Sequence, residues 1–292
     1  MSIFQGTGVA IITPFTATGA VDFEALENHI ERLITNHVDY LVILGTTGEA
    51  VTLNVQEKND VVRFVLEKTN NRIPAVIGIG GNNTNEVVDK IKRTDFQGIA
   101  GILSVAPYYN KPSQEGLYQH FRKIAEASPV PVILYNVPGR TGVNIAAQTT
   151  VRLARDFQNI VAIKEASGDM EQAMELMANK SDNFDVISGE DALTLPFLAL
   201  GFAGVISVMA NATPGHFSQM VKHARSGNIE QARQLHYRLL PLINMLFAEG
   251  NPAGVKAALN SQRLIANQLR LPLVPVSEQL FKKITLEMDS LY

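Results

Sequence analysis

Lys164 poses the sharpest chemical question in this chain. It closes the apolar run Asn159-Ile160-Val161-Ala162-Ile163-Lys164. A lysine in that position either pairs with a buried acid or is an amine kept for chemistry. In an extended segment Ile160, Ala162 and Lys164 share one face, and small Ala162 leaves room beneath a long side chain. Only about one lysine amine in a thousand is neutral near neutral pH in water. Burial disfavours the ammonium, and a neutral amine attacks ketones to form Schiff bases. A salt bridge with Glu165 or another neighbouring acid is the structural alternative, although adjacent strand residues point to opposite faces. Lys256, in Gly254-Val255-Lys256-Ala257, is the only other lysine in so apolar a setting, and it falls on a predicted helix.

Other segments carry groups that could serve such an amine. Gly45-Thr46-Thr47-Gly48-Glu49 offers two hydroxyls and a run of backbone N–H groups that can cradle a carboxylate, or it is an ordinary glycine-bearing turn. Tyr135 ends another apolar run, where a phenol usually has a hydroxyl partner. Pro138-Gly139-Arg140-Thr141-Gly142 fixes an arginine in a turn, suited to bidentate carboxylate recognition or simply solvated. Pro107-Tyr108-Tyr109-Asn110-Lys111-Pro112 places adjacent tyrosines in a proline-bounded loop, a pattern commoner at interfaces and in cores than in chemistry.

The elements that must position these groups follow from alternation. Apolar runs at Gly8–Ile12, Tyr40–Leu44, Ala75–Ile79, Ala100–Val105, Val132–Asn136, Ile160–Lys164, Phe184–Ser188 and Gly204–Val208 read as strands buried on both faces of a parallel sheet. Between them lie helical patterns. One opens at Asp22, with Phe23, Leu26, Ile30, Leu33 and Ile34 on one face; another has Asn54 and Glu57 spaced as a capping box. Thr84, Ser113 and Asp169 are the expected N-caps of later helices. Eight strand–helix units predict an α/β fold, a (β/α)8 TIM barrel over residues 1–226, with a C-terminal α-helical domain over 227–292. A doubly wound open sheet is the competing topology. In a barrel Lys164 faces the lumen at the C-terminal strand ends, where catalysis sits.

Composition narrows the chemistry. The chain of 292 residues has a net charge of −3 and no cysteine, which excludes disulfides, thiolate metal sites and a cysteine nucleophile. The balance speaks against nucleic acid or an anionic membrane as partner. No apolar run is long enough to span a bilayer, and Met1 to Phe15 lacks a basic leader pattern, so the expectation is a cytoplasmic protein. The six histidines show no metal-ligand spacing, and Gly78-Ile79-Gly80-Gly81-Asn82-Asn83 lacks the last glycine of a dinucleotide fingerprint.

The chain resembles the dihydrodipicolinate synthase family, within the pyruvate-dependent class I aldolases and lyases that include N-acetylneuraminate lyase. The resemblance covers essentially the whole chain. It rests, in order, on Gly45–Glu49, Pro107-Tyr108-Tyr109-Asn110, Tyr135–Gly142, Ile163-Lys164-Glu165 and Ser188-Gly189-Glu190-Asp191. It implies that Lys164 forms an imine with pyruvate, that the derived enamine attacks L-aspartate 4-semialdehyde, and that the product feeds lysine and diaminopimelate synthesis. Tyr135, Thr47 and Tyr109 would form a hydroxyl relay, with Tyr109 donated by a neighbouring subunit of a homotetramer. Thr46 and Thr47 would hold the pyruvate carboxylate and Arg140 that of the semialdehyde, while Gly189 and Ile206 line the pocket through backbone. No cofactor or metal is implied. Asn82, Glu86 and Tyr108 match a site where relatives bind lysine. Lys58 replaces a histidine there and would repel a bound ammonium, which leaves lysine inhibition open. A related sugar-acid aldolase would keep Lys164 and Tyr135 without needing Arg140. A catalytically silent barrel acting as a binding module would have no use for the lysine, tyrosine and threonine together.

Overall fold

A computed structural model describes residues 3–291. Its eight parallel strands are β1 (Gly6–Ala10), β2 (Tyr40–Ile43), β3 (Ala75–Gly78), β4 (Gly101–Val105), β5 (Val132–Asn136), β6 (Ile160–Glu165), β7 (Asp185–Ser188) and β8 (Gly204–Ser207). Each pairs with its sequence neighbour and β8 returns to β1, so the sheet is a closed barrel and not the doubly wound alternative. The helices between strands are α1 (Phe23–Thr35), α2 (Val55–Thr69), α3 (Thr84–Arg93), α4 (Gln114–Ala127), short α5 (Pro138–Thr141), α6 (Ala147–Asp156), α7 (Met170–Asn179) and α8 (Thr194–Ala199). After β8 come α9 (Met209–Ala212), α10 (Pro214–Arg225), α11 (Ile229–Ala248), α12 (Ala253–Ser261) and α13 (Glu278–Leu291).

Parity along the strands sorts the core into two layers. Val9, Leu41, Ile43, Ile77, Ile102, Leu134, Ile163 and Val186 pack outward against the helices. Ala10, Val42, Val76, Leu103, Ile133, Ala162, Ile187 and Ile206 fill the lumen, with Phe4 among them. Gly8 is needed because a Cβ there would lie 2.3 Å from the ring of fully buried Tyr40.

The helix caps follow the sequence signals with one exception. Asp22, Ser113 and Asp169 cap their helices, and Asn54 and Glu57 form the reciprocal capping box. The N-cap of α3 is Asn83, not Thr84, whose hydroxyl instead meets His120 Nδ1 at 2.9 Å. Three further expectations shift. β1 begins at Gly6, because the ladder to β8 starts there, and Ile12 N–H leaves it to donate to Asn211 Oδ1. The β5–β6 register slips beyond Val132↔Ile160, so that Ile133 pairs with Ala162. That bulge puts Ile160 in the outer layer, off the face of Ala162 and Lys164. The C-terminal helical pattern is also interrupted: residues 262–277 are not helical.

His29 yields a test of this packing. It is buried on α1 with Nε2 3.0 Å from Asn211 Oδ1. Burial lowers its pKa from 6.5 to about 4, opposed by the Asn211 hydrogen bond and reinforced by Arg32. Between those values the unfolded chain binds the proton and the folded chain does not. The neutral-ring contribution is therefore whole above about 6.5 and falls away as pH drops toward about 4, by about 3 kcal/mol. Urea denaturation across that range is expected to show a steeper acid loss for the parent than for His29→Gln; equal slopes would refute the assignment.

Candidate active site

The parallel register aligns Tyr135 of β5, Lys164 of β6 and Ile187 of β7. Lys164 is 5% exposed, and its Nζ lies 4.4 Å from the centroid of the Tyr135 ring. Gly189 makes room for it, since a Cβ there would meet Lys164 Cε at 2.9 Å and Ala166 Cβ at 2.5 Å. Among the described residues Lys164 forms no ion pair. Glu165 points to the other face, as its parity requires. Its carboxylate accepts from Asn136 Nδ2, Gln172 Nε2 at 2.9 Å and Ser167 N–H at 2.7 Å. The salt-bridge alternative for Lys164 therefore fails on geometry.

Beyond β2 the chain turns through Thr46–Gly48 into Glu49, which adopts a left-handed φ of 51°. Thr13 Oγ1 donates to Gly48 O at 2.7 Å and pins the turn. Thr47 is buried, and its Oγ1 accepts from Asn251 Nδ2 at 3.1 Å. Asn251 follows α11, and its backbone carbonyl lies 3.4 Å from an Arg140 guanidinium nitrogen. The C-terminal helices thus reach over the barrel mouth and touch both the threonine turn and the arginine turn. Arg140, on α5, is exposed toward the cavity.

One cavity gathers most of the candidates. Thr46, Thr47, Tyr135, Arg140, Lys164 and Gly189 line it, together with Glu190, Val208, Phe247 and Asn251. Ile206 lies in the lumen core, and Val208 lines the cavity nearby. Tyr109 is 88% exposed with a left-handed φ of 73°, and its side chain does not line its own chain's cavity. Its backbone N–H bonds Thr141 O at 3.3 Å, which ties the tyrosine loop to the Arg140 turn. Asn82 Nδ2 donates to Tyr108 O at 3.2 Å, and Glu86 accepts from Asn83 Nδ2. Lys58 lies on α2, near enough to α3 that its charge joins burial in lowering the pKa of Lys90.

Lys256 is the rival amine, and burial lowers its pKa to about 8 despite the pull of Glu49. Its Nζ, however, is fully enclosed, 2.5 Å from Glu49 Oε1 and 3.0 Å from Gln268 O, with the Phe15 ring at 4.1 Å. No substrate carbonyl can reach that nitrogen, so Lys256 is structural. It holds Glu49, and with it the end of the threonine turn.

Ala166, Glu190, Val208, Phe247 and Asn251 also line the cavity, and sequence reasoning gave none of them a role there. Glu190 stood inside the Ser188–Asp191 motif, directly after Gly189 and beside Asp191, and that pair of adjacent carboxylates was the available signal. Burial, with Asp191 next, raises its pKa to about 7. Phe247 and Asn251 carried no local signal, because only the folding of α11 over the mouth brings them in. Among the described residues no group of three or more His, Cys, Asp or Glu could hold a metal ion. Among the described residues no helix is long and apolar enough to cross a membrane.

The geometry provides an unpaired amine beside a phenol, two threonine hydroxyls and a guanidinium, a set able to bind a keto acid and make an imine. Comparisons with known proteins bear on its class. The model of the Dihydrodipicolinate synthetase family matches residues 3–289. A 4-hydroxy-tetrahydrodipicolinate synthase of Parabacteroides distasonis is 51% identical over 280 residues, covering 96% of this chain and 94% of the relative. The enzyme of that name from Flavobacterium psychrophilum is 50% identical, covering 98% of each chain. The crystal structure of dihydrodipicolinate synthase from Thermotoga maritima superposes with a TM-score of 0.96 at 41% identity, covering 99% of both chains.

Proposed function

Because the chain belongs to the dihydrodipicolinate synthetase family, we propose that it condenses pyruvate with L-aspartate 4-semialdehyde to 4-hydroxy-tetrahydrodipicolinate, as a class I lyase of lysine and diaminopimelate biosynthesis. The observation that carries this reading is the placement of Lys164: buried, without an ionic partner, and facing a cavity lined by Thr46, Thr47, Tyr135 and Arg140.

The Lys164 amine attacks the ketone carbon of pyruvate, and loss of water leaves the imine. The iminium withdraws electrons from the methyl group, which gives up a proton to form the enamine. The enamine carbon adds to the aldehyde of the second substrate. That substrate's amine then attacks the imine carbon, closes the ring and releases Lys164. Thr46 and Thr47 hold the pyruvate carboxylate. The Asn251 amide donates to Thr47 Oγ1, which turns the hydroxyl proton of Thr47 away from Asn251 and leaves it free to bond elsewhere in the cavity. Tyr135 and Thr47 begin a proton relay that Tyr109 of a neighbouring subunit completes. The exposure of Tyr109 outside its own cavity supports that donation, and the enzyme works as a homotetramer in the cytoplasm.

Arg140 holds the carboxylate of the semialdehyde, which separates this reading from a sugar-acid aldolase. Side-by-side assays with aspartate semialdehyde and with sugar acids test it. Arg140→Ala is expected to lower kcat/KM for the semialdehyde by about 10²-fold, as for loss of a charge-assisted bond, while imine formation with pyruvate changes little. Equal losses in both steps, or preferential cleavage of sugar acids by the parent, would overturn the assignment.

A further inference from the structure

Glu190 is the one acidic side chain among the residues lining the Lys164 cavity. It also lines the adjoining hollow formed with Asp191, Ala192, Ile243, Asn244, Phe247 and Ala248, so it stands where the two spaces meet. Its backbone is fixed on both sides: Glu190 N–H donates to Ser188 Oγ at 3.2 Å, and its carbonyl accepts from Ser188 Oγ at 3.0 Å and Thr194 Oγ1 at 2.9 Å. Its carboxylate, by contrast, has no hydrogen bond or ion pair among the described residues. A half-buried carboxylate on so rigid a mount, left without a partner beside a lysine and an arginine, is costly unless a ligand meets it.

We propose that Glu190 binds the α-ammonium of the amino-aldehyde substrate and takes its proton, so that the freed amine can close the ring. This rests on the function proposed above. With the substrate's carboxylate on Arg140, the α-carbon is fixed near that guanidinium, and the ammonium on the same carbon needs an acidic partner. The step balances. The ammonium N–H bond breaks and its proton passes to the Glu190 carboxylate. The nitrogen lone pair then forms the bond to the iminium carbon; the carboxyl gives its proton to the Lys164 nitrogen and takes one from the new ring ammonium, whose freed lone pair makes the C=N bond as the carbon–lysine bond breaks and Lys164 leaves as the free amine. The groups acting on Glu190 are Asp191 and Glu165, which favour its protonation, and Lys164 and Arg140, which oppose it. Burial dominates and brings its pKa to about 7, a range matched to moving a proton at neutral pH.

Glu190→Gln keeps the shape and removes the base; Glu190→Asp keeps the base. Both are compared with the parent using aspartate semialdehyde and, as a probe without the amino group, succinic semialdehyde. Expected for Glu190→Gln are unchanged borohydride trapping of pyruvate, about 10²-fold lower kcat/KM for the amino-aldehyde, and an unchanged single-turnover rate of carbon–carbon bond formation with succinic semialdehyde. The rise of kcat/KM through pH about 7 disappears in Gln and survives in Asp. Equal losses with the two aldehydes, or a pH limb retained in Gln, would overturn the proposal. A parent that traps pyruvate but ignores aspartate semialdehyde would sink the proposed function, a result separate from any effect of the variants.

Discussion

Lys164→Ala is expected to abolish condensation, with turnover falling on the order of 10³–10⁶-fold, while the barrel stays folded. The size follows from the role. A residue that forms the covalent intermediate cannot be replaced by its neighbours, and losing it removes the pathway rather than weakening one contact. Lys256 cannot substitute, because its amine is enclosed and engaged by Glu49 and Gln268. Stability should hold, because Lys164 makes no ion pair among the described residues and its side chain ends at an open cavity. Lys164→Arg is expected to be equally inactive, since guanidinium stays protonated and is no nucleophile. Steady-state assays together with thermal melts check both points. Turnover within tenfold of the parent would refute covalent catalysis at this position, and a collapsed melting temperature in both variants would recast Lys164 as structural.

Lys256→Met is expected to have the largest effect on stability. The Lys256 and Glu49 side chains are both 0% exposed. Removing one partner strands the other as a buried charge, which costs about 3–5 kcal/mol. Arg270 N–H also donates to Glu49 Oε2 at 3.0 Å, but a backbone amide cannot neutralise the carboxylate. Glu49→Gln should destabilise in the same way by stranding the ammonium. The double variant should recover much of the sum, because both charges leave together. Urea denaturation of the four proteins gives the coupling. Strict additivity would show that the two groups do not act as a pair. Since Glu49 ends the Thr46–Gly48 turn, the single variants should also bind pyruvate more weakly.

The barrel was legible because parallel strands buried on both faces leave continuous apolar runs, and β5 was bounded correctly at Val132 and Asn136. Strand parity placed Lys164 in the lumen and Glu165 outside it. Parity failed at Ile160, where a bulge that leaves no mark in the apolar pattern resets the phase. Thr84 and Asn83 are both plausible caps; contact with His120 decides between them. The site itself was legible where its residues end strands. Phe247 and Asn251 were not, because they enter the cavity from α11 and the turn that follows it, packed across the barrel mouth, and no local pattern encodes that docking. Residues 262–277 lost their helical reading to tertiary contacts: Gln268 O binds Lys256, and the Arg270 guanidinium binds Glu57 and Gly19 O.

Imine formation on Lys164 can be read chemically. Incubation with pyruvate and borohydride, followed by peptide mass spectrometry, should find one reduced pyruvyl group per chain, on the peptide containing Lys164. No adduct, or an adduct on Lys256 instead, would contradict the mechanism.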